Sequence, residues 1–443
     1  MRGVRTHLQL AITLGEQRDR EGTHTSPAAA YSSQLEWTDH TISYDDASGK
    51  RVVLDFVNRQ HREIDERART VTVKPLQAIV SNRDMEARNR GQHIYSVLKA
   101  GGVADNDFAP TLAEHQLSVN LPGSRRKLGK RSLLTKLFGG PDIEVIERET
   151  QTDMMVRARC LMSVSRETRE QPEAVASFTQ FLRYAFGGHP GLLRRILDAK
   201  RVPASVTLGH LTPMHVGGEV TVRVVEASGP PRGSSAEGFD ERLPLDGSEP
   251  IDAILRTTGA TGSSPPIAAR LSEALALLQG ATPLVGLLTF LELSLELPVG
   301  MPPEIRAALN ASTDEAASGF LALLEPASSE ADARTTLRAF EQLRGAAGRL
   351  AYLLGAFEAP LHRALNQPEA AVAALTEVLE TNPRVTGAWK DLGDRFRANY
   401  DLTRAWLCWQ RARALAPTHQ LLEDVTAYEQ QLEAEHPEYF RIV

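Results

Sequence analysis

The chain has 443 residues, which is too many for one hydrophobic core, so its length predicts about two or three domains. Its content of 42% hydrophobic and 24% charged residues is ordinary for a soluble globular protein. The formal net charge of −6 gives no electrostatic reason to expect binding to nucleic acid or to an anionic membrane surface.

Residues 1–35 lack strong periodicity and are predicted to form a flexible lead-in. Residues 8–14 form a short apolar run, but charged residues follow it where a signal peptide would carry a small-residue cleavage site. As written, the sequence therefore predicts a cytoplasmic location, and a cell-envelope location if translation begins elsewhere. No stretch has the length and apolarity of a membrane span, so no integral membrane segment is expected.

Residues 36–226 are predicted to form an α+β domain with an antiparallel sheet and helical insertions. Segments rich in Val, Ile, Thr and Tyr are separated by a turn at Ser48-Gly49 and by the polar residues 58–60, as in a meander of hairpins. Helices are predicted at residues 173–186 and 191–199, with strand-like segments before and after them.

The run RVVLDFVNRQHREIDERARTVTVKPL, residues 51–76, is similar to bacterial envelope proteins of the lipoprotein-carrier type. The resemblance covers residues 37–225 and implies an incomplete, curved antiparallel barrel. It brings with it an alternative function, in which an envelope protein binds a lipid or another apolar ligand in the curved sheet. An apolar cavity on the concave face of the sheet would favour this alternative, and a tightly filled core would remove it.

Residues 227–266 are rich in Gly, Pro and Ser and are predicted to form a linker that contains a short helix at 250–257. Residues 267–443 are predicted to be all-α, because helical segments there are punctuated by Pro and Gly. Antiparallel helices joined by short loops predict a helical repeat domain stacked as a solenoid.

The stretch TGAWKDLGDRFRANYDLTRAWLCWQRARALAP, residues 386–417, predicts two short helices packed against each other. Asp401 is placed to cap the second helix. The stretch resembles a tetratricopeptide repeat (TPR), which implies a binding module made of stacked helix pairs. The positions that carry the resemblance are the predicted repeat core: Trp389, Leu392, Gly393, Phe396, Ala405, Trp409, Ala412 and Pro417.

A second, weaker match lies one period of about 34 residues upstream. Pro383 and Ala371 stand there in the places of Pro417 and Ala405, so residues 368–383 resemble the second helix of a preceding repeat. The first helix of that repeat, near residues 352–365, departs from the pattern. Earlier repeats are inferred from helix spacing alone.

The family's groove-facing positions fall on five residues in the first helix of the repeat: Gly387, Lys390, Asp394, Arg397 and Ala398. Asp394 would repel a carboxylate, so these charges predict a mixed-charge groove for a helix or an extended peptide. The plainer alternative is that each charge only solvates the surface. Trp406 lies on an adjacent face of the second helix and is a candidate surface anchor for the partner.

These patterns predict a non-enzymatic function in protein–protein interaction or scaffolding. The sequence contains no nucleophile elbow, phosphate-binding loop, dinucleotide fingerprint or His-Glu-x-x-His motif. Cys160 and Cys408 have no metal-ligand spacing, so neither a metal nor another cofactor is expected. The expected partner is a protein or peptide and not a nucleic acid, while the oligomeric state stays open. A hydrolase whose site is assembled from distant residues is a third hypothesis.

Overall fold

The computed structural model divides into two compact units, Met1–Arg242 together with Leu432–Val443, and Leu243–Gln431. No helix among the described residues is long and apolar enough to cross a membrane. The structure describes residues 6–15, 17–19, 24–26, 29–85, 125–126, 143–151, 157–165, 168–169, 172–187, 190–211, 215–217, 220–225, 236–257 and 266–442.

The first unit is built on β-strands, with helices inserted between them. Its helices are α1 (residues 76–85), α2 (Pro172–Phe186) and α3 (Pro190–Ala199). The strands are β1 (Thr6–Leu14), β2 (Gln17–Asp19), β3 (His24–Ser26), β4 (Ala29–Trp37), β5 (Thr41–Asp45), β6 (Arg51–Asp55), β7 (Gln60–Asp65), β8 (Thr70–Pro75), β9 (Arg125–Arg126), β10 (Ile143–Gln151), β11 (Arg157–Ser165), β12 (Thr168–Arg169), β13 (Val202–Pro203), β14 (Ser205–Leu211), β15 (His215–Gly217), β16 (Val220–Val225) and β17 (Asp240–Arg242).

The main sheet of the first unit has the strand order β17-β8-β7-β6-β5-β4-β1-β16-β14-β11-β10-β9. Its described neighbours pair antiparallel, except β17 and β8, which are parallel. The predicted antiparallel-sheet domain is therefore confirmed.

Strand β1 corrects the prediction of a flexible lead-in over residues 1–35. It pairs with β4 on one side and with β16 on the other, so it lies inside the sheet. Leu8, Leu10 and Ile12 are 3%, 0% and 1% exposed. These three residues are two positions apart, as expected for one face of a strand. The strands that pair with β1 come later in the chain, so the pattern alone did not show that β1 belongs to the sheet.

Helix α2 packs against the sheet through aromatic side chains. The rings of Tyr44 and Phe181 are 5.0 Å apart, and those of Phe56 and Tyr184 are 6.4 Å apart. Phe178 and Phe181 are fully buried. Aromatic side chains of α2 therefore fill the space against this described part of the sheet, and the lipid-binding alternative stays a prediction.

The described part of the second unit is all helical, as predicted for the C-terminal region. Its boundaries differ from the predicted ones: the unit begins at Leu243, inside the predicted linker, and the last residues from Leu432 belong to the first unit. The α-helices are α4 (Ile251–Thr257), α5 (Ile267–Gln279), α6 (Pro283–Glu296), α7 (Pro303–Ala311), α8 (Glu315–Ala322), α9 (Glu330–Ala347), α10 (Leu354–Ala364), α11 (Pro368–Thr381), α12 (Thr386–Ala398), α13 (Leu402–Leu415) and α14 (Glu423–Glu435), whose last residues belong to the first unit, with 3-10 helices at Gly348–Leu353 and Gln420–Leu422. A further 3-10 helix, Pro437–Tyr439, belongs to the first unit.

Helices α12 and α13 form the hairpin that the sequence predicts. A Cβ atom on Gly393 would lie only 2.3 Å from Cδ1 and Nε1 of Trp409, so only glycine permits this approach of the two helices. Asp401 caps α13, because its Oδ1 accepts a hydrogen bond from the backbone N–H of Arg404 at 3.0 Å. Seven of the eight predicted core residues are buried, and the exposed Pro417 follows the end of α13.

Helix α6 is buried on nearly all sides and contacts α12, although five helices separate them in the chain. The hydroxyl of Thr386 donates to the carbonyl of Glu296 at 2.8 Å. A Cβ on Gly387 would lie 2.8 Å from the side chain of Leu295, so this groove-facing position of the repeat is covered. Repeats in a solenoid contact only their neighbours, so this contact departs from simple solenoid stacking.

We expect Gly393→Ala to lower the free energy of unfolding by about 1–3 kcal/mol, because the added methyl group displaces the buried indole of Trp409. The matched control is Gly319→Ala in α8, where a Cβ meets nothing within 4 Å. That control should gain up to about 1 kcal/mol from helix propensity. Urea unfolding followed by tryptophan fluorescence measures both, and equal stabilisation of the two variants would contradict the close contact.

Candidate functional site

The predicted binding charges lie on one side of α12, and two of them bond to each other. Lys390 Nζ lies 2.7 Å from Asp394 Oδ2, one helical turn away. Burial lowers the pKa of Lys390, but the hydrogen bond to Asp394 and the negative charges of Asp394 and Asp391 together outweigh burial, so the pKa is raised above its ordinary value. Asp394 also accepts a hydrogen bond from Trp409 Nε1 at 3.2 Å. The Lys390–Asp394 pair is thus fixed by the packing of the hairpin.

Arg397 is exposed and lies at the far end of the same face. Its guanidinium carbon is 4.0 Å from the ring centroid of Tyr428 in α14, which is cation–π geometry. The three predicted charges therefore share a face, with Arg397 the most accessible of them. We call Lys390, Asp394 and Arg397 the charged face of α12.

Trp406 is not a surface anchor, and that prediction is wrong. Its side chain is 1% exposed. It stacks on Tyr428 with ring centroids 5.8 Å apart and meets Trp409 edge-to-face at 5.1 Å. Trp406 packs α13 against α14, the helix that follows the repeat and covers this side chain.

The sequence did not reveal the buried cluster around Arg404. The guanidinium makes a two-point contact with Asp252, with Nε and one Nη at 2.7 and 2.8 Å from the two carboxylate oxygens. It also bonds to Asp401 at 2.5 Å and to Asp246 at 2.6 Å. Because Asp252 lies in α4, the cluster fixes residues 246–252 of the predicted linker against the repeat.

A second buried polar cluster joins helices of the same unit. Arg270 bonds to Glu296, and to Glu292 at 2.9 Å. The amide of Asn382 donates to Glu296 at 2.7 Å, and the hydroxyl of Tyr352 donates to Glu292. The signal for this cluster was the presence of two glutamates in the otherwise apolar stretch 281–297, but the sequence did not name their partners.

Among the described residues, Asp84, Glu435 and His436 form the group whose donor atoms could hold a metal ion, since these atoms lie within 4.8 Å of one another. His436 Nε2 already lies 3.2 Å from Asp84 Oδ1, and both side chains are buried. An ion pair or hydrogen bond accounts for this contact. The expectation that the protein holds no metal stays a prediction.

The described cysteine, Cys408, is fully buried in α13. Burial raises the pKa of its thiol well above the ordinary value, so the thiolate nucleophile is disfavoured. Cys408 is therefore a small packed residue of the hairpin.

Comparison of the sequence with protein-family models gives no match, and no curated protein matches it either.

We expect Arg404→Gln to lower the free energy of unfolding by about 3–5 kcal/mol, because it leaves the buried carboxylate of Asp252 without its cation. Arg334→Gln is the matched control, since Arg334 pairs with Glu330 on an exposed part of α9. This exposed pair should contribute less than about 1 kcal/mol. Urea unfolding measures the free energy of unfolding of both variants. Similar losses of stability in the two would contradict the claim that burial makes the Arg404–Asp252 pair the more important one.

The Arg404 cluster should also make stability depend on pH. Burial raises the pKa of Asp252, but the hydrogen bonds and positive charge of Arg404, together with backbone hydrogen bonds from Gly247 and Glu249, outweigh burial, so the net pKa is lower than in an unfolded chain. A lowered carboxyl pKa contributes stability above about pH 4 that is lost as the pH falls further. We expect the stability difference between the natural chain and Arg404→Gln to shrink between about pH 5 and pH 2. A difference that is constant with pH would refute this assignment.

Proposed function

We propose that this protein has a non-enzymatic function in protein–protein interaction or scaffolding, and that its second unit carries a TPR-type binding module. The observation that carries the proposal is the hairpin of α12 and α13. This hairpin has the residue pattern of such a repeat. It also has the close helix packing that the pattern requires, with Gly393 against Trp409. The charged face of α12 is the proposed contact surface.

The chemistry of this face indicates the kind of partner. Lys390 and Asp394 form an ion pair in which the Asp394 side chain is 43% exposed, and Arg397 stands beside them on Tyr428. Opposite charges in a row suit a helix or an extended peptide that carries both signs, whereas a lone carboxylate would be repelled by Asp394. The covered position at Gly387 limits the surface to the later turns of α12.

The test replaces the charges without disturbing the packing. Lys390→Gln, Asp394→Asn and Arg397→Gln are combined, because asparagine keeps an oxygen that can accept from Trp409 Nε1. Full-length protein serves as the bait for quantitative affinity capture. We expect partners bound by the natural chain to be lost at least tenfold with the triple variant, since rim charges steer and specify association.

The control for this capture is Glu330→Gln combined with Arg334→Gln, which removes an exposed ion pair of the same spacing from α9. It should retain the partners of the natural chain. Circular dichroism and the unfolding midpoint check that the triple variant is folded. A folded triple variant with unchanged capture would reject the charged face as the binding site.

A further inference from the structure

Residues 436–441, which we call the C-terminal segment, are held on the first unit by side chains of α2. The main-chain carbonyl of Glu438 accepts hydrogen bonds from Gln180 Nε2 at 2.5 Å and from Arg183 Nη1 at 2.9 Å. The carbonyl of Tyr439 accepts one from the hydroxyl of Tyr184 at 2.5 Å.

The next two carbonyls of the C-terminal segment are bound in the same way. Arg59, in the turn between β6 and β7, donates to the carbonyl of Phe440, and Gln180 donates to that of Arg441. Four successive carbonyls thus accept hydrogen bonds from side chains of the first unit. These contacts bind the main chain of a segment that forms a 3-10 turn at Pro437–Tyr439, so they depend on backbone shape and not on side-chain identity.

The aromatic side chains of the segment supply the specificity. Tyr439 and Phe440 are 3% and 5% exposed. The ring of Tyr439 meets Tyr184 edge-to-face at 5.5 Å, and the guanidinium of Arg183 lies 5.4 Å from the centroid of the same ring. Arg59 lies 5.0 Å from the centroid of Phe440. Buried aromatic residues paired with arginines are typical of the strongest contacts in protein interfaces.

These contacts differ from those that build the sheet. Neighbouring strands exchange hydrogen bonds between backbones, whereas the segment is held by side chains that bind its backbone and by two inserted rings. Peptide ligands are bound in this way by folded domains. Because the segment is part of the same chain, its effective concentration at the surface is about millimolar, so a modest affinity is enough to keep it bound.

We propose that Arg59, Gln180, Arg183 and Tyr184 form a peptide-docking site, and that the C-terminal segment is its separable ligand. The site accepts a peptide that forms the 3-10 turn seen at Pro437–Tyr439 and carries the Tyr-Phe pair. It lies in the first unit and shares no residue with the charged face of α12, so its test is independent of the proposed function.

The first experiment uses a chain that ends at Glu435 and a fluorescent peptide with the sequence of residues 434–443. We expect anisotropy to give a dissociation constant of about 1–100 μM, and binding at least tenfold weaker to the intact chain, whose own segment occupies the site. A peptide with Tyr439→Ala and Phe440→Ala, and a scrambled peptide, are the controls and should bind at least tenfold more weakly. Absence of binding to a folded shortened chain, or equal binding of the scrambled peptide, would overturn the proposal.

A second measurement on the intact chain covers the case in which the shortened chain does not fold. Hydrogen exchange read by mass spectrometry should show residues 436–442 opening more readily than β4, β5 and β6, because a separable ligand leaves its site without global unfolding. Protection of the segment equal to that of these strands would overturn the proposal. The triple variant of the charged face of α12 should bind the peptide in the shortened chain as well as its parent does.

Discussion

The approach of α12 to α13 at Gly393 is the constraint on which the candidate site depends. Because Gly393 has no Cβ, the indole of Trp409 lies against the backbone of α12, and its Nε1 reaches Asp394. That bond holds the carboxylate beside Lys390. The same indole contacts the ring of Tyr428, and the guanidinium of Arg397 lies over that ring. The positions of three surface charges therefore follow from one packing contact inside the hairpin, and a larger residue at position 393 would move all of them.

Buried charged residues determine which of the helix arrangements allowed by apolar contacts is stable. Leucine-rich helices bury similar area in several registers, whereas a buried arginine that misses its carboxylates costs several kcal/mol. In the second unit, Arg404 meets Asp252 of α4, and Arg270 of α5 meets Glu296 of α6. We expect such clusters to add little net stability and to penalise wrong arrangements of the helices. Their partners lie 152 and 26 residues apart in the chain, so each cluster joins separate elements.

What could be predicted from the sequence was local. The hairpin of α12 and α13 was predicted because its pattern and its cap at Asp401 lie within one short stretch. Strand β1 was missed because its pairing partner β16 lies more than 200 residues later in the chain, so the sequence around β1 does not show that it lies inside a sheet. Trp406 was placed on the surface because its cover, Tyr428, belongs to the next helix. Each miss has the same physical cause: burial is decided by a distant partner, and no pattern around the residue itself reports that partner.

The two proposed recognition surfaces differ in what an incoming chain must displace. At the charged face of α12, a partner meets Arg397 first and then competes with the Lys390–Asp394 pair, in which Asp394 is open to water and Lys390 is mostly covered. At the docking site of the first unit, the four carbonyls and two rings of the C-terminal segment must leave before another peptide enters. A tethered ligand at about millimolar effective concentration excludes weak competitors. The charged face is therefore open to a partner at all times. The docking site, by contrast, binds another peptide only if that peptide resembles the C-terminal segment and exceeds it in affinity or concentration.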